Sequence, residues 1–135
     1  MKYRIGVVAA LKAFRSTKPW RGTLEERKAK FRVIHAELNR IYNRSVVLVL
    51  DGVREPETKL GNGWYQPGTQ TMALVGKLSV VTLLHEWGHA LYGHSEAKAI
   101  RYSIGLYKRV FRKSAAQHLT TIRPYGQHLV TRKGN

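Results

Sequence analysis

The chain has 135 residues, 43% of them hydrophobic, and it contains no cysteine. This size and apolar content suit one compact domain over residues 1–135 and exclude global disorder, while the lack of cysteine excludes disulfides and thiolate metal sites. No apolar run is long enough to cross a bilayer, so we expect no membrane partner, and a cysteine-free chain favours the reducing cytoplasm.

The charge of the chain is strongly basic and unevenly distributed, with 24 Lys and Arg against 8 Asp and Glu and a formal net charge of +16. Residues 1–44 carry 12 basic and 3 acidic side chains, residues 45–96 carry 3 and 5, and residues 97–135 carry 9 and none. Basic flanks of this kind attract polyanions over long distances, so nucleic acid is a candidate partner. A solvated basic surface without a partner explains the composition equally well.

The first third of the chain contains one well-defined helical pattern. Residues 1–14 are interpreted as a strand or helix of the fold rather than a cleaved signal, because basic residues interrupt their short apolar stretch. Residues 12–22 contain proline and glycine and predict a loop. Thr23 and Glu26 form a capping-box pattern, and the apolar spacing that follows predicts an amphipathic helix over about 24–42.

The middle of the chain reads as strands. Residues 46–50 are a continuous aliphatic run that predicts a buried central strand. Polar residues over 53–62 predict a loop. Residues 63–65 and 71–75, separated by a turn at 66–69, predict two further strands.

The last third of the chain predicts two consecutive helices. Residues 80–92 are apolar almost all round and predict a buried helix, with Ser79 as its N-cap and Gly93 as its C-cap. Ser95 is placed to cap the next helix, whose predicted apolar stripe consists of Ala97, Ile100, Ile104, Tyr107 and Phe111. Residues from about 114 to 135 are basic and weakly patterned and predict a tail with a mobile end.

The buried helix carries three ionisable residues within five positions. His85 and His89 are four residues apart, so both project from one face, where two imidazoles can bind one Zn²⁺. Glu86 lies one position round the helix, where it can take a proton from a zinc-activated water that attacks a carbonyl group. Two core histidines with a surface acid are the alternative, but burying these groups without a metal is costly. A glycine inside the helix, Gly88, indicates a close approach of another element.

A catalytic zinc site needs a third protein ligand, and two candidates follow directly: His94 and Glu96. If the chain turns back at Gly93, either side chain can reach the metal. The other histidines lack ligand spacing and are assigned to packing or to the surface: His35, His118 and His128. Four residues suit an oxyanion stabiliser by type, but the sequence does not choose among them: Tyr92, Arg101, Tyr102 and Tyr125.

On these residues the chain resembles the zincin metallopeptidases, whose signature is HExxH. The helix that opens with Glu96 is similar to the glutamate helix of gluzincins, most of all the ImmA/IrrE type, and the resemblance therefore favours Glu96 over His94 as third ligand. Only six residues separate His89 from Glu96, fewer than in typical gluzincins. SprT-like proteases, which place a histidine soon after the motif and act on DNA-bound proteins, are the second choice. In zincins an edge strand precedes the active helix, and residues 63–75 have a similar pattern.

The expected fold is α+β: a minimal zincin-like domain with an N-terminal helix on a small mixed sheet that has an edge strand, then the active-site helix and a C-terminal helix. The expected function is zinc-dependent peptide-bond hydrolysis, with the substrate backbone adding near residues 71–75 and with DNA-associated proteins as candidate substrates. The alternative is a non-catalytic basic nucleic-acid-binding protein with a structural metal, and a zinc hydrolase of non-peptide bonds is a third interpretation.

Overall fold

In the computed structural model, the structure describes residues 2–54, 61–121 and 130–131, and side chains as far as residue 115. The described helices are α1 (Val7–Ser16), α2 (Leu24–Tyr42), α3 (Val80–Tyr92), α4 (Glu96–Val110) and α5 (Arg112–His118). The described strands are β1 (Val47–Val53), β2 (Gly61–Gln66), β3 (Thr71–Gly76), β4 (Leu119–Thr121) and β5 (Val130–Thr131).

The N-terminal residues form a helix, α1, which runs through part of the segment predicted as a loop. Val7, Leu11 and Phe14 are buried at helical spacing, and they pack α1 against α2 and α4. The loop prediction for residues 12–22 was wrong up to Ser16, because the buried Phe14 continues the apolar face of the helix. The prediction that the first residues belong to the fold is confirmed.

Helix α2 begins and ends as its sequence pattern predicts. The Thr23 hydroxyl accepts a hydrogen bond from the Glu26 amide, and the Glu26 carboxylate accepts one from the Thr23 amide, which completes the capping box. Phe31, Ile34 and Leu38 form the buried side of this helix.

The three-stranded sheet has the order β1-β3-β2, with β1 parallel and β2 antiparallel to β3. The central strand is therefore β3, and the prediction of a central strand at residues 46–50 was wrong. Strand β1 is an edge strand with an exposed Val47, and it continues past Asp51 to Val53 through a register irregularity. An aliphatic run indicates burial on both faces, but strand order depends on pairing between distant segments.

The predicted loop at residues 53–62 overlaps two strands. Val53 ends β1 and residues 61 and 62 begin β2, so the prediction was wrong at both ends. Residues 55–60, which make up most of that loop, lie outside the described residues. The predicted strand, turn and strand that follow are confirmed, with a short 3₁₀ turn at Pro67–Thr69 between β2 and β3.

Helix α3 has the predicted bounds and caps, and it packs mainly against α4 and β2. In α4 the predicted stripe was wrong at Ala97, which is exposed, because the helix faces α3 through Ala99 instead. The predicted tail contains α5, β4 and β5, and the prediction of a mobile end concerns residues 122–129 and 132–135, outside the described residues.

The architecture is α+β with a small mixed sheet, as expected from the sequence. Within the described part of the chain, every helix is too short or too polar to cross a membrane.

Candidate metal centre

Helix α3 places two of its three motif side chains deep in the protein. His85 is 3% exposed and Glu86 is 2% exposed, and Trp87 and Gly88, which follow them, are also buried. A buried ionisable group needs a charge partner or several hydrogen bonds to offset its lost hydration. The neighbours of these side chains therefore decide what they do.

The fourth ionisable group of the site, Glu96, comes from the first turn of α4. Gly93 ends α3 with φ +80°, a conformation that favours glycine, and the Ser95 hydroxyl accepts a hydrogen bond from the Lys98 amide at 3.1 Å to begin α4. A Cβ added at Gly88 would lie 2.7 Å from the Ala99 Cα, so glycine permits the close contact between α3 and α4. This close contact lets Glu96 reach His89 although only six residues separate the two in the chain.

The Glu96 carboxylate lies between the two histidines of α3. Its Oε2 is 3.2 Å from His85 Nε2, and its Oε1 is 2.6 Å from His89 Nε2. The two imidazole rings are 4.9 Å apart and nearly perpendicular. Of the described residues, these three form the one group whose ligand atoms all lie within 4.8 Å of one another.

The hydrogen bonds of His89 show which of its nitrogens can bind a cation. Its Nδ1 is 2.7 Å from the Gly93 carbonyl oxygen, which can only accept, so Nδ1 carries the proton. In the neutral ring Nε2 then has a free lone pair, and it faces a carboxylate oxygen that is also an acceptor. Two acceptors at this distance repel unless a proton or a metal cation lies between them.

The donor set fits zinc. Two imidazole nitrogens and one carboxylate oxygen are a common ligand set of catalytic Zn²⁺, and tetrahedral bonds of about 2.0–2.2 Å separate ligand atoms by roughly 3.3–3.6 Å. The 3.2 Å between His85 Nε2 and Glu96 Oε2 is close to that range, whereas the 2.6 Å between His89 Nε2 and Glu96 Oε1 is a shorter, hydrogen-bond distance. Glu96 Oε2 is also buried and has no hydrogen-bond partner within the described structure, so it is available as a ligand.

His94, the other candidate third ligand, lies in the turn between α3 and α4. Its side chain is exposed and lines the cavity in front of the site, but it is not part of the three-residue group. The geometry therefore brings Glu96, and not His94, to His85 and His89.

Glu86 lies beneath the edge strand β2. A Cβ added at Gly63 would lie 3.2 Å from Glu86 Cγ and 2.7 Å from the Ala73 carbonyl oxygen, so a glycine is needed where the strand crosses the helix. The pKa of Glu86 is raised to about 7, mainly because the carboxyl group is buried; His89 acts to lower it, and the Glu96 carboxylate adds a smaller upward effect. The Glu86 side chain lines the same cavity as His85 and His89.

This cavity has a volume of about 290 Å³ and opens beside β2. The cavity is also lined by Trp64 and Tyr65 of β2 and by Pro67, which were given no individual role from the sequence. A signal existed, since Trp64 and Tyr65 are large aromatic residues that follow Gly63 in a predicted strand, and the resemblance to zincins associated residues 63–75 with an edge strand. The sequence interpretation placed substrate pairing on residues 71–75 and not on residues 63–65.

None of the described oxyanion candidates lines this cavity. Tyr102 is buried, and its hydroxyl is 2.7 Å from that of Tyr42. Tyr92 packs on Tyr102 with the ring centroids 5.9 Å apart, and Arg101 is exposed on α4. Tyr125 lies outside the described residues.

His35 is a packing residue, as predicted. Its Nδ1 accepts a hydrogen bond from Trp87 Nε1 at 3.1 Å, and its Nε2 donates to the Val46 carbonyl oxygen at 2.7 Å. The side chains of His118 and His128 lie outside the described part of the structure.

The chain matches no protein-family model, no curated protein and no solved structure. The interpretation of the site therefore rests on its own geometry and chemistry.

Proposed function

We propose that this chain is a zinc-dependent metallopeptidase in which His85, His89 and Glu96 bind the metal and Glu86 is the general base. The observation that carries the proposal is the convergence of three ligand atoms within 4.8 Å, with His89 Nδ1 hydrogen-bonded so that Nε2 is left for a cation. Such a second bond to a backbone carbonyl is typical of metal-binding histidines.

The roles follow from the positions of the side chains. A bound zinc ion supplies Lewis-acid chemistry, lowering the pKa of a water and polarising a carbonyl group. The Glu86 carboxylate, adjacent to His85 in the chain and facing the same cavity, accepts the proton of the attacking water and returns it to the leaving amine. Its burial keeps bulk water away from that exchange.

The substrate backbone pairs with β2. The sequence pattern placed strand addition near residues 71–75, but β3 is paired on both sides, so that placement was wrong and Gly61–Gln66 is the edge strand next to the site. An extended peptide adds to such an edge through main-chain hydrogen bonds. Trp64 and Tyr65 then contact the substrate side chains that enter the cavity.

Proteins associated with nucleic acid are the proposed substrates. The support is the net charge of +16, concentrated in the two flanks of the chain and not in its central part. A field of that sign draws the protein to polyanions and to the proteins that are bound on them.

A non-catalytic nucleic-acid-binding protein with a structural metal is the second candidate, favoured by the same charge. Structural zinc sites are closed by four protein ligands, whereas the described residues supply three here, beside an open cavity. Hydrolysis of a non-peptide bond is the third candidate, and the edge strand beside the site favours peptides over it.

The test compares the wild type with Glu86→Gln in zinc content and in hydrolysis of a quenched-fluorescent peptide library and casein. We expect both proteins to contain one zinc per chain, and Glu86→Gln to lose about 10²–10⁴-fold in kcat. Glu37→Gln, at a half-buried acid of α2, is the matched control and keeps full activity.

Two outcomes contradict the proposal. If no zinc co-purifies and the chelator-treated protein does not rebind it, the metal site is wrong. If zinc binds but no peptide or protein is cleaved, the peptidase proposal is wrong, and the structural-metal protein and the hydrolase of a non-peptide bond are the two candidates left.

A further inference from the structure

The outer face of α4 carries a stripe of positive charge, and no acidic side chain in the described part of the chain forms an ion pair with it. Lys98, Arg101, Lys108 and Arg109 are all exposed, and at 3.6 residues per turn they fall within roughly a 100° sector of the helix. Between residues 97 and 113 the chain has six basic residues and no acidic one. Glu96, at the start of the helix, is directed at the histidines of α3.

Arg15 of helix α1 adds a positive charge at the C-terminal end of α4. Arg15 Nη1 donates a hydrogen bond to the Val110 carbonyl oxygen at 2.7 Å, and the Tyr3 hydroxyl donates to the Tyr102 carbonyl oxygen at 3.3 Å. These contacts hold the N-terminal segment against α4, so the two basic flanks of the sequence meet in space. We call the surface formed by Arg15, Lys98, Arg101, Lys108 and Arg109 the basic face.

On helix α2, by contrast, basic residues form ion pairs with acidic residues. Lys28 Nζ is 3.5 Å from Glu25 Oε2, and Arg40 Nε donates to Glu37 Oε1 at 3.0 Å. On the basic face, Lys98 and Arg101 are instead like charges at i, i+3, which disfavours the helix by a few tenths of a kcal/mol. An anionic partner converts that repulsion into binding energy.

From these contacts we infer that the basic face binds the phosphate backbone of double-stranded nucleic acid. Arginine suits phosphate because its guanidinium donates two parallel hydrogen bonds, and three of the five residues are arginines. Lys98 to Arg109 spans roughly 17 Å along the helix, the length of about five base pairs.

Two other anionic partners fit this face less well. Membrane-surface helices insert large apolar side chains beside their cations, but the exposed large hydrophobic residues all lie off α4: Ile5, Trp20, Val33, Val47, Trp64 and Tyr92. Single-stranded nucleic acid is bound by aromatic side chains on which bases stack, and Tyr102 and Tyr107 of α4 are both buried.

Lys98 follows the ligand Glu96 by two residues, which is about 200° round the helix, so the basic face lies on the side of α4 that is turned away from the metal centre. A duplex held there leaves the cavity open to a substrate, a consequence that rests on the proposed peptidase function. Binding of the duplex itself does not rest on that function, because neither zinc nor Glu86 takes part in it.

The test is fluorescence anisotropy of a 20-base-pair DNA duplex with the full chain, from 50 to 200 mM salt. Arg101→Ala/Arg109→Ala on the basic face is matched by Arg32→Ala/Arg40→Ala on α2, since both remove two exposed arginines from a helix. We expect the first pair to lose about tenfold or more in affinity and to lower the salt slope by about 2, and the second to change affinity less than about threefold.

Arg101→Lys/Arg109→Lys keeps the charge and should remain within about tenfold of the wild type, which guards against a loss that comes from misfolding alone; circular dichroism checks each variant. Equal losses in the two alanine pairs would mean diffuse attraction and overturn the inference. So would tighter binding to the single strand, or to phosphatidylserine vesicles, than to the duplex. Absence of peptidase activity would not bear on this result, and absence of binding would leave the peptidase proposal standing.

Discussion

Two histidine environments in the protein differ in what their imidazole rings face. His35 accepts from Trp87 and donates to the Val46 carbonyl, so a neutral ring is fully satisfied there. His85 and His89 instead direct their Nε2 atoms at one carboxylate beside a cavity. His35 and His85 are both buried, so burial alone does not identify a site. The difference is whether the polar atoms satisfy one another or leave a common position for a cation.

The largest expected effect separates the two candidate third ligands. Glu96→Ala removes an atom that lies 3.2 Å from His85 Nε2, and we expect zinc affinity to fall by more than about 100-fold, beyond the 10–100-fold typical of supporting residues. His94→Ala removes an exposed side chain outside the group and should change affinity less than about threefold. Competition with a chromogenic zinc chelator measures both.

The reverse order of those affinities would mean that the turn rearranges around the metal and that His94 is the ligand. If both variants lost little zinc affinity, neither side chain would be a ligand, and the histidines of α3 would be packing residues like His35.

An intermediate effect is expected where α3 meets α4, a contact that the site around His35 does not need. Gly88→Ala places a Cβ 2.7 Å from the Ala99 Cα, and we expect overpacking to lower the free energy of unfolding by about 1–3 kcal/mol. Zinc affinity should fall with it, because Glu96 moves away with α4. Urea unfolding and the same chelator assay measure the two quantities.

Gly68→Ala is the control for this substitution, because a Cβ there meets only a side-chain atom at 4.0 Å. We expect its stability to stay within about 0.5 kcal/mol of the wild type. If Gly88→Ala were instead more stable, as alanine is in an open helix, the close approach of the two helices would be wrong.

The smallest effect concerns pH and the site around His35. Burial lowers the pKa of His35 below its ordinary value of 6.5, with the bond to Val46 acting in the opposite direction. Its contribution to stability is therefore fully present above pH 6.5 and is lost as the pH falls from there towards the lower folded-state pKa. In His35→Gln that part of the decline disappears.

Thermal unfolding from pH 8 to pH 5, with EDTA present so that metal release plays no part, compares this variant with the wild type. His94→Gln, which replaces an exposed histidine, should follow the wild-type curve. Identical slopes for all three proteins would show that His35 is not a protonation-sensitive part of the core.

Local signals predicted the parts of the fold that depend on neighbouring residues. The capping box at Thr23, the bounds of α3 and the serine cap of α4 all follow from interactions within a few residues, and the structure agrees. The predictions were wrong where a segment depends on a distant partner. Helix α1 is longer than the predicted loop allowed because Phe14 packs in the core, and the central strand is β3 instead of the predicted β1.

The sequence by itself determined that two histidines and a glutamate share a buried helix, because a spacing of four places side chains on one face whatever surrounds them. Only the tertiary structure decided that Glu96 meets them, since this depends on the turn at Gly93 and on the contact between Gly88 and Ala99. It also decided that β2 is the edge strand and that the two basic flanks adjoin. Each of those outcomes comes from packing between segments far apart in the chain, which no local pattern specifies.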